Sequence, residues 1–322
     1  MNFKKRLLIL ILSLIILPLN TFAYSKYLVP GGENLGIHIK SSGILIVGFY
    51  DTNAKKSDLQ VGDKIISINN QSISSIDEMI KVMNDDRESL SLKVGYIRGK
   101  EQKETTLYLA KDENGVFKTG LYVKDSITGV GTLTFIDPKT NQYGALGHSI
   151  TDSKTNVKFE VKNGKIFKAD VASIDRSVDG KTGEKNAKFY FETDYGTITK
   201  NLDTGIYGIY KNNYNKDNLL EIANIKDIEL GDALIRTTLD NNKIESFKIK
   251  ILDIDESSNT KNLLFQITDY NLLNRTGGIV KGMSGSPIIQ NNKIIGAVTH
   301  TVISDNTKGY GISIIKMLES ME

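Results

Sequence analysis

Three histidines, one glycine-flanked serine and no cysteine bound the nucleophilic chemistry open to this chain. Ser284 stands in Gly282-Met-Ser-Gly-Ser-Pro287, between glycines and ahead of two apolar runs. A serine hydroxyl is a weak nucleophile; it reacts where a base takes its proton and backbone N–H groups converge on the developing oxyanion. A turn without Cβ atoms at 282 and 285 permits both, with the N–H groups of Gly282 and Ser284 as oxyanion donors. The base falls to histidine, which titrates near neutrality. His148, at the end of Tyr143-Gly-Ala-Leu-Gly-His148, is preferred. His300 follows the second apolar run, where lining a cleft and packing on a core are equal readings. His38 lies in a strand-like run without partner ligands at metal spacing, so it is read as structural. A carboxylate should hold the imidazole. Asp152, Asp194 and Asp269 all remain open from the residues alone, and each has the bland reading of a solvated loop aspartate. The absence of cysteine excludes disulfides and thiolate metal sites, and neither a metal site nor a cofactor is expected.

The elements that must position these groups change character along the chain. After Ser284, Pro287-Ile-Ile-Gln290, Asn291-Asn292 and Lys293-Ile-Ile-Gly-Ala-Val-Thr299 read as a β-hairpin, because asparagine tolerates the positive φ of a tight turn. This resembles the serine turn and hairpin of chymotrypsin-fold serine proteases. Met283 stands where trypsin-like members of that fold carry an aspartate that pairs with a new N-terminus, so activation by that ion pair is not expected. Upstream, Gly131–Ile136 and Tyr143–Gly147 flank the turn Asp137-Pro-Lys-Thr-Asn141 and deliver His148 at their end. Many short strands follow, which points to a barrel or sandwich, and only Ile314–Glu322 reads as a closing helix.

Residues 27–110 read as a smaller α+β domain, joined by a connector at 111–130 to a β-rich domain at 131–322. Leu59-Gln-Val-Gly-Asp-Lys-Ile-Ile-Ser-Ile-Asn69 resembles the Leu-x-x-Gly-Asp-x-Ile-x-x-Ile-Asn run of bacterial PDZ domains. In the helix after it, Ser75 and Glu78 form a capping box, and Ile76, Met79, Ile80 and Met83 share one face. PDZ domains take extended peptides beside a sheet edge. The resemblance places that groove between Leu35-Gly36-Ile37, continuing to Ile39, and the helix face of Ile76 and Ile80. The bland reading is that these apolar side chains are core.

Residues 1–23 combine Lys4-Lys5-Arg6, an apolar run from Leu7 to Leu17 and Thr21-Phe22-Ala23, the pattern of a secretory signal peptide. The alternative is a membrane tether through residues 4–17, although the run is short for a span. Those residues hold three basic and no acidic side chains, so the remainder balances at 38 of each. No nucleic-acid footprint is present.

Taken together, Val29-Pro-Gly-Gly-Glu-Asn-Leu-Gly36, Tyr143–His148, Gly277–Pro287 and Ile295-Gly-Ala-Val-Thr-His300 resemble the stage IV sporulation protein B serine peptidases of endospore-forming bacteria. The resemblance implies a mainly β chain, an N-terminal PDZ domain followed by a chymotrypsin-like double β-barrel. It implies catalysis by His148 and Ser284, and it favours Asp269 as the acidic partner, with Asp194 second. It further implies an exported enzyme in the space between forespore and mother-cell membranes. Its expected partners are protein substrates: itself, and a membrane-bound regulator of a later protease. Two other readings stand beside it: a catalytically silent PDZ adaptor and a general envelope quality-control protease. In the latter the PDZ domain usually follows the protease domain, whereas here it precedes it.

Overall fold

The computed structural model describes residues 24–52, 54–85, 89–178, 180–240 and 243–321. The expected export signal, residues 1–23, and the tether reading of residues 4–17 lie outside the described residues.

Two closed antiparallel barrels carry the β-rich part, and their strands are numbered β1–β12. The first uses β1 (Asn34–Phe49), β2 (Leu121–Ile136), β3 (Gln142–Ala145), β4 (Asn163–Asp175), β5 (Gly183–Leu202) and β6 (Gly205–Tyr210). Its ring runs β1, β2, β3, β6, β5, β4 and back to β1. The second uses β7 (Gly231–Thr238), β8 (Ile244–Ile254), β9 (Leu263–Ile267), β10 (Pro287–Gln290), β11 (Lys293–Val302) and β12 (Asp305–Ser313). Its ring runs β7, β8, β9, β12, β11, β10 and back to β7. Closure gives every stave a neighbour on each side over at least part of its length. Period-2 alternation fills the barrels: in β8, Phe247, Ile249 and Ile251 are buried while Lys248 and Lys250 face out. Leu28, Phe135, Tyr207, Ile294 and Ile312 meet between the barrels, where helix α3 (Ile314–Met321) adds Met317 and Leu318; here α1 and α2 denote Ile76–Asp85 and Tyr270–Thr276.

The small domain is an insertion between two staves of the first barrel. β1 does not fold back at Ser41-Ser42-Gly43. It runs on through a register shift between Lys40 and Leu45, so that 34–40 pair inside the barrel and 44–49 join the small sheet. That sheet continues through Lys64–Ile68, Ser91–Arg98 and Glu101–Tyr108, with α1 packed on it through Met79, Val82 and Met83. The chain then returns along β2, whose first residues pair with 45–49 and whose later residues re-enter the barrel. The capping expectation holds at α1: Ser75 Oγ accepts the Glu78 N–H at 3.2 Å, and Asp125 Oδ2 of β2 accepts the Ile76 N–H at 2.9 Å.

The strands run past the expected domain bounds: residues 34–40, placed in a domain at 27–110, pair within the first barrel, and 121–130, placed in the connector, form the first ten residues of a 16-residue strand. The predicted peptide edge is closed. Leu35, Gly36 and Ile37 pair on one side with Lys168, Phe167 and Ile166 of β4, and on the other with Gly131, Val130 and Gly129 of β2. A Cβ on Gly36 would stand 2.2 Å from the Phe167 ring. A strand with both edges occupied cannot accept a third partner. On the helix side, Ile76 packs against the small core while Ile80 is 48% exposed.

Gly36→Ala therefore overpacks a barrel core and is expected to destabilise the chain by about 1–3 kcal/mol, read as a lower thermal midpoint. An unchanged midpoint with altered peptide binding would restore the groove reading.

Candidate active site

The serine loop is fixed from both barrels. Val280–Lys281 pairs in parallel with Gly183 and Glu184 of β5. Beyond it, the Met283 N–H donates to the Val280 carbonyl (3.1 Å), the Ser286 N–H to the Met283 carbonyl (2.9 Å) and the Gly285 N–H to the Val298 carbonyl (2.8 Å). Met283 is wholly buried in the second core. With 283 and 285 committed, the N–H groups expected to serve an oxyanion, those of Gly282 and Ser284, belong to residues that line the cleft. Two threonines of β2 hold the loop from the first barrel. Thr132 Oγ1 donates to the Gly282 carbonyl (2.7 Å), the Thr132 N–H to the Ser284 carbonyl (3.0 Å) and Thr134 Oγ1 to the Gly285 carbonyl (2.8 Å). Gly285, at φ +92°, is required by this approach: a Cβ there would lie 2.1 Å from the Thr132 carbonyl oxygen and 2.4 Å from the Leu146 nitrogen. Beneath Gly282 runs the buried stem of Lys185, whose Nζ donates to Asn34 Oδ1 (2.9 Å) and Thr237 Oγ1 (3.0 Å). Burial pushes this amine down to about 7.

His148 arrives on a sharp turn. Leu146 and Gly147 take φ of +69° and +70° in succession, an arrangement unusual for leucine. His148 and Ser284 then line one cleft of about 660 Å³, with His300 on its wall. His148 Nδ1 lies 2.9 Å from the Ser149 carbonyl oxygen. A carbonyl only accepts, so Nδ1 carries the proton and Nε2 keeps the basic lone pair. Burial lowers the His148 pKa below the ordinary 6.5, against the raising effect of the Ser149 carbonyl. The His148 and His300 rings are 5.1 Å apart, and burial, His148 and Lys261 together push His300 down to about 4. Near pH 7 both rings are neutral. Ser284 Oγ donates to the Thr299 carbonyl at 2.8 Å.

The carboxylates fall differently from expectation. Asp269 is the N-cap of α2: Oδ1 accepts the N–H groups of Asn271 (3.0 Å) and Leu272 (3.2 Å), and Oδ2 that of Lys248 (3.2 Å). Main-chain N–H groups occupy both of its oxygens, and the ring nitrogen it was expected to hold, His148 Nδ1, bonds the Ser149 carbonyl instead, so the acidic partner inferred by resemblance is corrected to a helix cap. Asp194 accepts the Gly196 N–H (2.8 Å) on exposed β5. Asp152 is buried in its own turn and paired with Lys124 (2.7 Å). The carboxylate that does line the cleft, with Glu184, is Asp203 from the β5–β6 turn. It accepts Ser149 Oγ at 3.2 Å and pairs with Lys158 at 2.6 Å. Sequence reasoning missed Asp203, Ser149 and the two threonines. The only signal was the period-2 spacing of Thr132 and Thr134, which any strand shows.

A family model for the SpoIVB peptidase S55 matches residues 115–318, and a PDZ domain model matches residues 35–109. The chain belongs to the SpoIVB peptidase S55 family. It is a serine endopeptidase with protein substrates. Among solved structures, the S55 chain is similar to the Rv3671c protease of M. tuberculosis in its active form, at 14% identity over 60% of this chain and 72% of that one, TM-score 0.31. The HtrA-type protease AlgW with a decapeptide is similar at 12% identity over 66% and 57%, TM-score 0.35. The PDZ domain of the SdrC-like protein Lmo2051 of Listeria monocytogenes is similar at 21% identity over 27% and 93%, TM-score 0.25. No curated protein sequence matches the S55 chain.

Two outcomes follow for this S55 peptidase. Asparagine caps a helix as well as aspartate does, so Asp269→Asn should leave turnover nearly unchanged, whereas the same change in a triad aspartate lowers kcat about 10⁴-fold. Asp269→Ala should cost about 1 kcal/mol of stability. Separately, lowering of the His148 pKa keeps its neutral, basic form present further into acid. The acid limb of a pH–rate profile should therefore have its midpoint below 6.5; a midpoint above that value counts against His148 as the base.

Proposed function

We propose that this peptidase is an exported sporulation-signalling enzyme that processes itself near the N-terminus and cleaves a membrane-bound regulatory protein. The membership of the S55 family and the export pattern of residues 1–23 support this reading, as does the inserted PDZ unit. The space between forespore and mother-cell membranes is the proposed site of action. The carrying observation for the chemistry is that Ser284 and His148 line one cleft, with Nδ1 of His148 already bonded to a carbonyl.

In this reading, Ser284 Oγ turns from the Thr299 carbonyl toward His148 Nε2. As Oγ attacks the substrate carbonyl carbon, Nε2 takes the hydroxyl proton. The N–H groups of Gly282 and Ser284 face the oxyanion, each donor contributing about 2.7–4 kcal/mol in comparable sites. The imidazolium then protonates the leaving amine, and the same nitrogen later takes a proton from the water that releases the acyl group. The imidazolium is held by a main-chain carbonyl, with Asp203 acting through Ser149.

The hydrogen bond from Ser284 Oγ to the Thr299 carbonyl holds the hydroxyl away from the base, so a rotation about the Ser284 side chain precedes attack. A fluorophosphonate tests the assignment. Covalent labelling at Ser284, with Ser284→Ala folded but unable to process itself, is the expected result. An unlabelled wild-type chain, or full-rate processing by the Ser284→Ala variant, would remove Ser284 as the nucleophile.

A further inference from the structure

Of the glycines in this chain, Gly129 alone has neither a positive φ nor an atom within 4 Å of where its Cβ would be. It lies in the middle of β2, where glycine weakens a strand, and it is exposed. Neither backbone conformation nor packing within the chain accounts for it. A glycine inside a strand also marks a place where another backbone comes close.

The edge on which it lies is open. β2 pairs with β1 from Leu121 to Thr132, and its other edge is taken by β3 only from Leu133 onward. Among the described residues no strand pairs with that second edge over 126–130. Exposed edges are commonly protected by lysine, proline, charge or a bulge. Here the charged pair Lys124-Asp125 ends where the open stretch begins, and Ser126-Ile-Thr-Gly-Val130 carries none of these devices. Ile127, Thr128, Gly129 and Val130 line the same cleft as His148 and Ser284. Five residues of strand span roughly 17 Å, enough for a short extended segment.

We propose that an extended segment of the substrate polypeptide adds to β2 as a strand along Ser126–Val130 and is led from there into the catalytic cleft. Main-chain hydrogen bonds do the holding, so the track tolerates varied side chains, and Gly129 leaves room for the incoming backbone. This rests on Ser284 as the nucleophile. It places peptide docking on β2, in place of the closed edge at Leu35–Ile37.

The test compares Gly129→Leu with the wild-type full chain in two assays: cleavage of fluorescently labelled β-casein, an unfolded polypeptide, and labelling of Ser284 by a small fluorophosphonate. The open space at Gly129 lets the variant fold, which a thermal melt checks. The expected result is a fall of about tenfold or more in kcat/KM for casein with the labelling rate unchanged, and an intermediate fall for Gly129→Ala. Unchanged casein cleavage would overturn the proposal. So would an equal fall in labelling, because the substitution would then act on Ser284 itself, and so would a wild-type chain that labels but leaves casein intact. A wild-type chain that fails to label sinks the peptidase chemistry instead, a result visible before any variant is compared.

Discussion

Three hydrogen bonds from Thr132 and Thr134 to the carbonyls of Gly282, Ser284 and Gly285 hold the two barrels in the relation on which the cleft depends. The histidine comes from one barrel and the serine from the other, so neither barrel contains a site by itself. Both threonines are completely buried. A buried hydroxyl without its acceptor costs about 1–3 kcal/mol, so separating the loop from β2 is opposed at several points at once. Gly285 sets how close the loop comes, and Lys185 ties β1, β5 and β7 together under it.

The arrangement around His148 shows how a base can be oriented without a carboxylate in contact. A carbonyl fixes the tautomer as well as an aspartate does, because it too can only accept. It carries no full charge, and so gives an imidazolium less electrostatic help. Burial already disfavours that cation, and neutral His300 adds none. The next carboxylate, Asp203, touches Ser149 and is shared with Lys158. Proton transfer here is arranged mainly by geometry, with charge in a secondary place.

Local features were legible in the sequence where local conformation decides them. The Asn291-Asn292 turn has φ of 49° and 59°, and the glycines at 282 and 285 both lie at positive φ. Ser75 caps its helix. Leu35-Gly36-Ile37 shows the limit. Alternating apolar residues announce a buried strand but not its neighbours, and the neighbours, β2 and β4, lie some ninety to one hundred and thirty positions downstream. Ser41-Ser42-Gly43 has the composition of a turn and serves as a bulge, which the same residues also suit. Asp269 stands where a helix cap and a catalytic acid have the same sequence appearance, and only the partners of its oxygens distinguish them. Asp203 comes to the cleft through a hairpin that no short-range pattern ties to His148.

Because β1 and β2 run without a break from one unit into the other, the small domain has no linker at which it can be cut away. A fragment beginning at residue 131, where composition changes, would leave the first barrel without β1 and with only the last third of β2. Such a fragment would be an open sheet rather than a vessel, and the serine loop would have lost its neighbouring wall. Trimming this protein to its hydrolytic half calls for a short hairpin grafted between Lys40 and Ser126, residues already opposite one another in the ladder.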